Sequence, residues 1–171
     1  FNMVTMAQGQ KLTISFWLSP TSFGTNREIL QHRNGISGPL WRVRLEANGT
    51  ISFLAQNAVP QTIVSAFTSN VLTANTWHHV VISIDTSDAT KRHIYINGVN
   101  ASTTWNTYTV GGLLVLDRIN LNIGSDDSLE SDYLGCLSQV LIDDTYVSLN
   151  TNSVLTKFYN NGSVDFGTDG S

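Results

Sequence analysis

The chain has 171 residues, 41% of them hydrophobic and only 13% charged, with a formal net charge of −4. A domain of this length buries roughly two-thirds of its unfolded surface, so residues 1–171 are expected to form a single domain around one core. The charge balance leaves nothing to neutralise a phosphate backbone, which argues against nucleic acid. The longest apolar runs, 80–84 and 112–116, fall far short of the roughly 20 residues of a membrane helix, which argues against membrane insertion.

In chain order, Leu12, Ile14, Phe16 and Leu18 alternate with Thr13, Ser15 and Trp17, the pattern of a strand with one apolar side, and Pro20 ends it. A second strand is expected at 28–32. Residues 40–47 and 50–55 then flank Asn48-Gly49, a pair suited to the positive φ angles of a type I′ hairpin turn. A weaker strand at 61–67 precedes a strong one at 77–84, rich in β-branched and aromatic residues and closed by the turn formers 85–88. Residues 92–97 and 99–103 flank a second Asn-Gly pair, Asn97-Gly98. Further strands are expected at 113–116, 119–123 and 137–142, and around 155–159; only 150–159 has room for a short helix. With no helical stripe to serve as a crossover, the fold class is all-β, two antiparallel sheets packed as a sandwich.

Several of these stretches together carry a resemblance: Leu12-Thr-Ile-Ser-Phe-Trp-Leu18, Trp77-His-His-Val-Val81, Ile94-Tyr-Ile-Asn-Gly98, Leu121-Asn-Ile-Gly124, and Tyr133-Leu-Gly-Cys-Leu137 with 140–143. In this order they resemble the laminin-G-like and concanavalin-A-like jelly-roll family, over roughly residues 10–162. The resemblance implies a curved sheet on a flatter one, with ligands at rim loops or on the concave face. It leaves function open, since relatives include lectins, adhesion modules, glycosidase accessory domains and parts of virus particles. The ending, 157–171, resembles the closing part of laminin-G-like domains of bacteriophage structural proteins. That adds a virion surface to the extracellular settings expected, with viral capsid or tail proteins as partners. Phe1 in place of Met is read as a trimmed product or an excised domain.

No catalytic residues are expected. A glycosidase needs two carboxylates about 5–5.5 Å or 6.5–9.5 Å apart, and Glu28, Glu46 and Glu130 do not stand at alternating strand positions. His78 and His79, adjacent on a strand, face opposite ways, so they do not share a metal. Cys136 is the only cysteine and reads as a small buried hydrophobe. The arginines Arg27, Arg33, Arg42 and Arg44 read as a solvated sheet face.

Two binding sites are expected. Asp126, Asp127, Glu130 and Asp132 crowd carboxylates into one loop, which suits Ca²⁺ with its six to eight oxygen ligands. The resemblance implies calcium at the sandwich rim as well, so Asp126, Asp127 and Asp132 are the candidate metal ligands; an acidic loop that is merely solvated is the competing reading. Sugar recognition needs an aromatic platform and polar partners for hydroxyls. Trp105, Asn106 and Tyr108 offer both, with Tyr133, Trp41, Asn34 and Arg42 as further candidates, whereas Trp17, Trp41 and Trp77 are expected in the core. The function expected is therefore non-catalytic binding of a carbohydrate or protein surface. The alternative is a purely structural module docked on a capsid, tail or neighbouring domain.

Overall fold

A computed structural model describes residues 8–33, 40–59, 61–116, 120–125, 131–150, 156, 158 and 159. Their strands are β1 (Lys11–Pro20), β2 (Arg27–Arg33), β3 (Leu40–Leu45), β4 (Ile51–Gln56), β5 (Thr62–Thr68), β6 (His78–Asp85), β7 (Arg92–Ile96), β8 (Val99–Asn100), β9 (Thr103–Tyr108), β10 (Asn120–Ile123) and β11 (Gly135–Asp143). They pair antiparallel into a five-stranded sheet, ordered β11-β1-β6-β7-β8, and a six-stranded sheet, ordered β10-β2-β3-β4-β5-β9. This is the expected two-sheet β-sandwich.

The alternation along each strand builds the core. Leu12, Ile14, Phe16 and Leu18 of β1 and Val80, Ile82 and Ile84 of β6 meet Trp41, Val43 and Leu45 of β3, Phe53 of β4 and Val64 of β5, and all are sealed from water. Fully burying one such side chain stabilises the fold by about 1.5–3 kcal/mol.

The other face of the five-stranded sheet, which alternation alone leaves to solvent, is also covered. Val81 and Tyr95 form a second cluster with Leu149 and Phe158 from the chain beyond β11. Thr13 and Ser83 are buried there and satisfied. Their hydroxyls bond each other at 2.9 Å, Thr13 donates to the Thr145 carbonyl, and the Val147 amide donates to Ser83 Oγ. Trp17 lies on this face as well, stacked on Tyr159 and tilted against His79 instead of standing between the sheets. Only Trp41 of the expected core tryptophans sits in the main core. Trp77 is 47% exposed, because it precedes β6 by one residue and so falls outside the paired register that begins at Leu18 and His78.

Other expectations also need correction. Cys136 is exposed; on β11 it alternates with Leu137, which turns inward to pack on the core. At 46–50 the hairpin forms, but only Gly49 has a positive φ, +83°, and its amide donates to the Glu46 carbonyl. The Asn48 carboxamide instead accepts from the Thr50 amide and hydroxyl, which holds a longer turn than the type I′ form. Asn97 and Gly98 do carry the paired positive φ angles expected. Within 113–116 pairing is confined to one bridge between Leu114 and Gly9. Residues 99–103 divide between β8 and the start of β9, whose span to Tyr108 the sequence reading left out. Thr156 and Phe158 are helical, in keeping with the short helix allowed at 150–159.

Candidate functional site

The two sheets differ in what lies over their outer faces. The five-stranded sheet carries the chain beyond β11, whereas the six-stranded sheet presents two polar cross-strand rows. One row runs Glu28, Arg44, Ser52, Phe67, Thr104 across β2, β3, β4, β5 and β9. The neighbouring row runs Asn122, Gln31, Arg42, Leu54, Ser65, Thr107 from β10 to β9. Side chains directly opposite on such a face lie about 4.5–5.5 Å apart at Cβ, close enough to act on one ligand. Phe67 is 39% exposed amid these polar neighbours. Sequence reading passed it over because it looks like one more apolar strand residue; its outward turn shows only in the structure, where both its neighbours, Ala66 and Thr68, are buried.

The arginines of this face are half-buried and only partly solvated. Glu28, 1% exposed, accepts from Arg44 Nε at 2.8 Å and from Arg44 Nη2, and Arg42 Nη1 approaches the same Oε1 at 3.6 Å. A β-bulge between Glu28 and Leu30 sets Glu28 opposite Arg44 instead of one residue out of phase. Burial, then the neighbouring Arg44 charge, pull the Arg42 guanidinium below its ordinary range, against the pull of Glu28 and Glu46. Glu46 Oε1 accepts from the Ser52 hydroxyl.

Trp105, Asn106 and Tyr108 occupy edge strand β9. A register shift opposite Ser65 and Ala66 leaves Asn106 as an extra residue, so Trp105 pairs with buried Ala66 and Tyr108 with buried Val64. Both rings therefore turn toward the sandwich interior at its open edge, edge to face with centroids 5.7 Å apart, and only Asn106 of the three is exposed. Arg92 of β7 lies over both rings, 5.4 Å from Trp105 and 4.9 Å from Tyr108. The Tyr108 hydroxyl donates to the Lys91 carbonyl at 3.1 Å, and burial pushes its phenol up to about 12.

Tyr133 is apart from this group. Its amide donates to the Gly124 carbonyl beside β10, the opposite edge of the six-stranded sheet from β9, and its ring is buried in the core with a phenol that burial pushes up. Asp132 is next to Tyr133 and bridges in parallel to Glu28, while its carbonyl accepts from Arg27 Nη1. Asp126, Asp127 and Glu130 lie outside the described residues, as do Asn34 and 160–171. Among the described residues no three acidic, His or Cys side chains converge to hold a metal ion. Nor is any helix among them long and apolar enough to cross a membrane.

Comparison with solved structures gives 140 matching chains. The native heptameric SAP-like pentraxin from Limulus polyphemus is 19% identical with a TM-score of 0.64, covering 94% of this chain and 75% of that one. The CBM40 of the Ruminococcus gnavus IT-sialidase, bound to α2,3 sialyllactose, is 10% identical with a TM-score of 0.63, over 91% of this chain and 95% of that one. Domain 4 of the extracellular arabinanase AbnA from Geobacillus stearothermophilus, in complex with arabinotriose, is 14% identical with a TM-score of 0.64, over 91% of this chain and 69% of that one. At these identities the likeness is one of fold. No curated protein matches the chain in sequence. A laminin-G-type family model matches residues 1–151, and the chain thus belongs to the concanavalin A-like lectin/glucanases superfamily.

Proposed function

We propose that this chain is a non-catalytic carbohydrate-binding module of an extracellular setting, and that a saccharide lies across the outer face of its six-stranded sheet. The observation that carries the reading is Phe67, an exposed aromatic in register with Arg44, Ser52 and Thr104. A sugar ring stacks its apolar C–H face on the phenyl group while hydroxyls bond the flanking polar side chains. Two of the neighbours in fold, the sialidase and arabinanase modules, hold saccharides. Of the acids described on this face, Glu28 is held by Arg44 and Arg42, and Glu46 accepts from the Ser52 hydroxyl. Glycan-array binding that falls at least tenfold in Phe67→Ala, with an unchanged circular dichroism spectrum, supports the reading; full binding by that variant removes it.

A second location is favoured by the contact of Trp105 with Tyr108 beside exposed Asn106. It predicts that Trp105→Ala abolishes binding while Phe67→Ala does not. Calcium held by Asp132 with Asp126 and Asp127 remains part of the proposal, motivated by the buried Asp132 Oδ1, which has no hydrogen-bond partner. Calorimetric titration with Ca²⁺ tests it, and zero heat removes it. Display on a virion, docked to capsid or tail proteins, rests on the resemblance of residues 157–171 alone. Particle attachment that resists soluble sugar and EDTA is its test.

A further inference from the structure

The arginines on the outer face of the six-stranded sheet are more numerous than the acids that occupy them. Arg44 is committed to Glu28 through both Nε and Nη2. Arg42, whose side chain is 28% exposed, only approaches an oxygen that Arg44 already holds. Arg33 stands two residues along β2 from Gln31, the register partner of Arg42, which makes Arg33 and Arg42 diagonal neighbours on one face. The buried Arg33 Nε has no hydrogen-bond partner. Such crowding of like charge is held in a chain whose net charge is −4. The same face also holds spare acceptors. Glu28 Oε2 and Gln31 Oε1 belong to side chains 1% and 2% exposed, and neither oxygen has a partner.

We infer that this face takes a saccharide bearing a carboxylate, with the carboxylate held between Arg33 and Arg42 and the sugar ring lying toward Phe67. The inference rests on the saccharide reading of the same face and names its chemical class. A planar guanidinium matches a carboxylate in two parallel hydrogen bonds, which a neutral hydroxyl does not reproduce. Gln31 and Glu28 on β2 stand three strands from Phe67 on β5, about 14 Å, so a saccharide whose carboxylate sits between the arginines reaches Phe67 with a second ring. A neutral sugar leaves the arginine donors unspent.

Calorimetry with N-acetylneuraminic acid and D-glucuronic acid glycosides, each beside its methyl ester, tests this on the full chain. The acids are expected to bind at least tenfold more tightly than the esters and to weaken several-fold from about 50 to about 500 mM NaCl, as screening of a charged contact requires. Arg42→Gln and, independently, Arg33→Gln are expected to remove the preference for the acid while keeping the circular dichroism spectrum, and Arg42→Lys to restore part of it. Equal affinity for acid and ester, or an acid preference retained in both glutamine variants, overturns the inference. Binding of sulfated saccharides with none to the carboxylated ones also overturns it. If only neutral saccharides bind and Phe67→Ala abolishes that binding, the charge class is wrong and the face is right; if no saccharide binds, both readings fall.

Discussion

His79 offers a quantitative test of how the second face of the five-stranded sheet is closed. Its ring is 1% exposed, between Trp17 at 5.1 Å and Tyr159 at 5.8 Å, with Nε2 2.8 Å from Ser15 Oγ. Burial pulls its pKa down from 6.5 to about 4. The unfolded chain therefore binds a proton that the folded chain refuses between those two values, and stability must fall as pH falls through that window. A gap of about 2.5 pH units at about 1.4 kcal/mol each corresponds to a loss of about 3 kcal/mol by pH 4, of which about 2 kcal/mol has gone by pH 5. The contribution is complete and flat only from about pH 7.5 upward, since at pH 6.5 the unfolded imidazole is already half protonated. His93, lowered by burial, acts in the same direction. Asp85 does so only near and below its ordinary 3.8: burial opposes its ionised form, but bonds from Ser87 and the charge of Lys91 outweigh that. Urea unfolding at pH 7.5, 6.5, 5.5 and 5.0 measures the slope, and the same series on His79→Gln, which keeps a polar partner for Ser15, isolates this residue. The reasoning is refuted if the two proteins lose stability in parallel over pH 6.5 to 5.0, since the native ring would then titrate like a free imidazole.

Two further perturbations test the packing. Gly98→Ala places a Cβ 2.5 Å from Tyr159 Cδ1 at a φ of +75°, so thermal melting should show a loss of about 1–3 kcal/mol, with Tyr159→Ala in the same background recovering the part due to the clash. Phe16→Ala empties a fully buried site between the sheets and should cost about 3–5 kcal/mol in urea unfolding. A cost below about 1 kcal/mol would mean that Phe16 does not pack there.

The main core was legible because alternation is a local property. Leu12, Ile14, Phe16 and Leu18 announce their side of β1, and nothing in the tertiary structure reverses it. The hidden parts were those where a second partner decides. Thr13, Ser15 and Trp17 read as an outer side because the chain that covers them is more than a hundred residues away. Trp77 reads as core until the register shows that β6 begins one residue later. The binding candidates followed the same rule. Trp105 and Tyr108, three residues apart, would face opposite sides of a regular strand, and only the bulge at Asn106 brings their rings together. Phe67 gave no signal, since its exposure depends on the register of β5 against β4 and β9. Glu28 looked like an ordinary strand carboxylate; its burial against Arg44 follows from the bulge between Glu28 and Leu30.

Saccharide recognition by the outer face of the six-stranded sheet is tested most directly by mapping amide chemical-shift changes as a carboxylated glycoside is titrated into labelled protein. The account predicts that the largest changes fall on Gln31, Arg42, Arg44, Leu54, Ser65 and Phe67, with Trp77 and Tyr133 unmoved. Changes centred instead on Asn106 and the rim around Trp77, with the residues of that face silent, would contradict it.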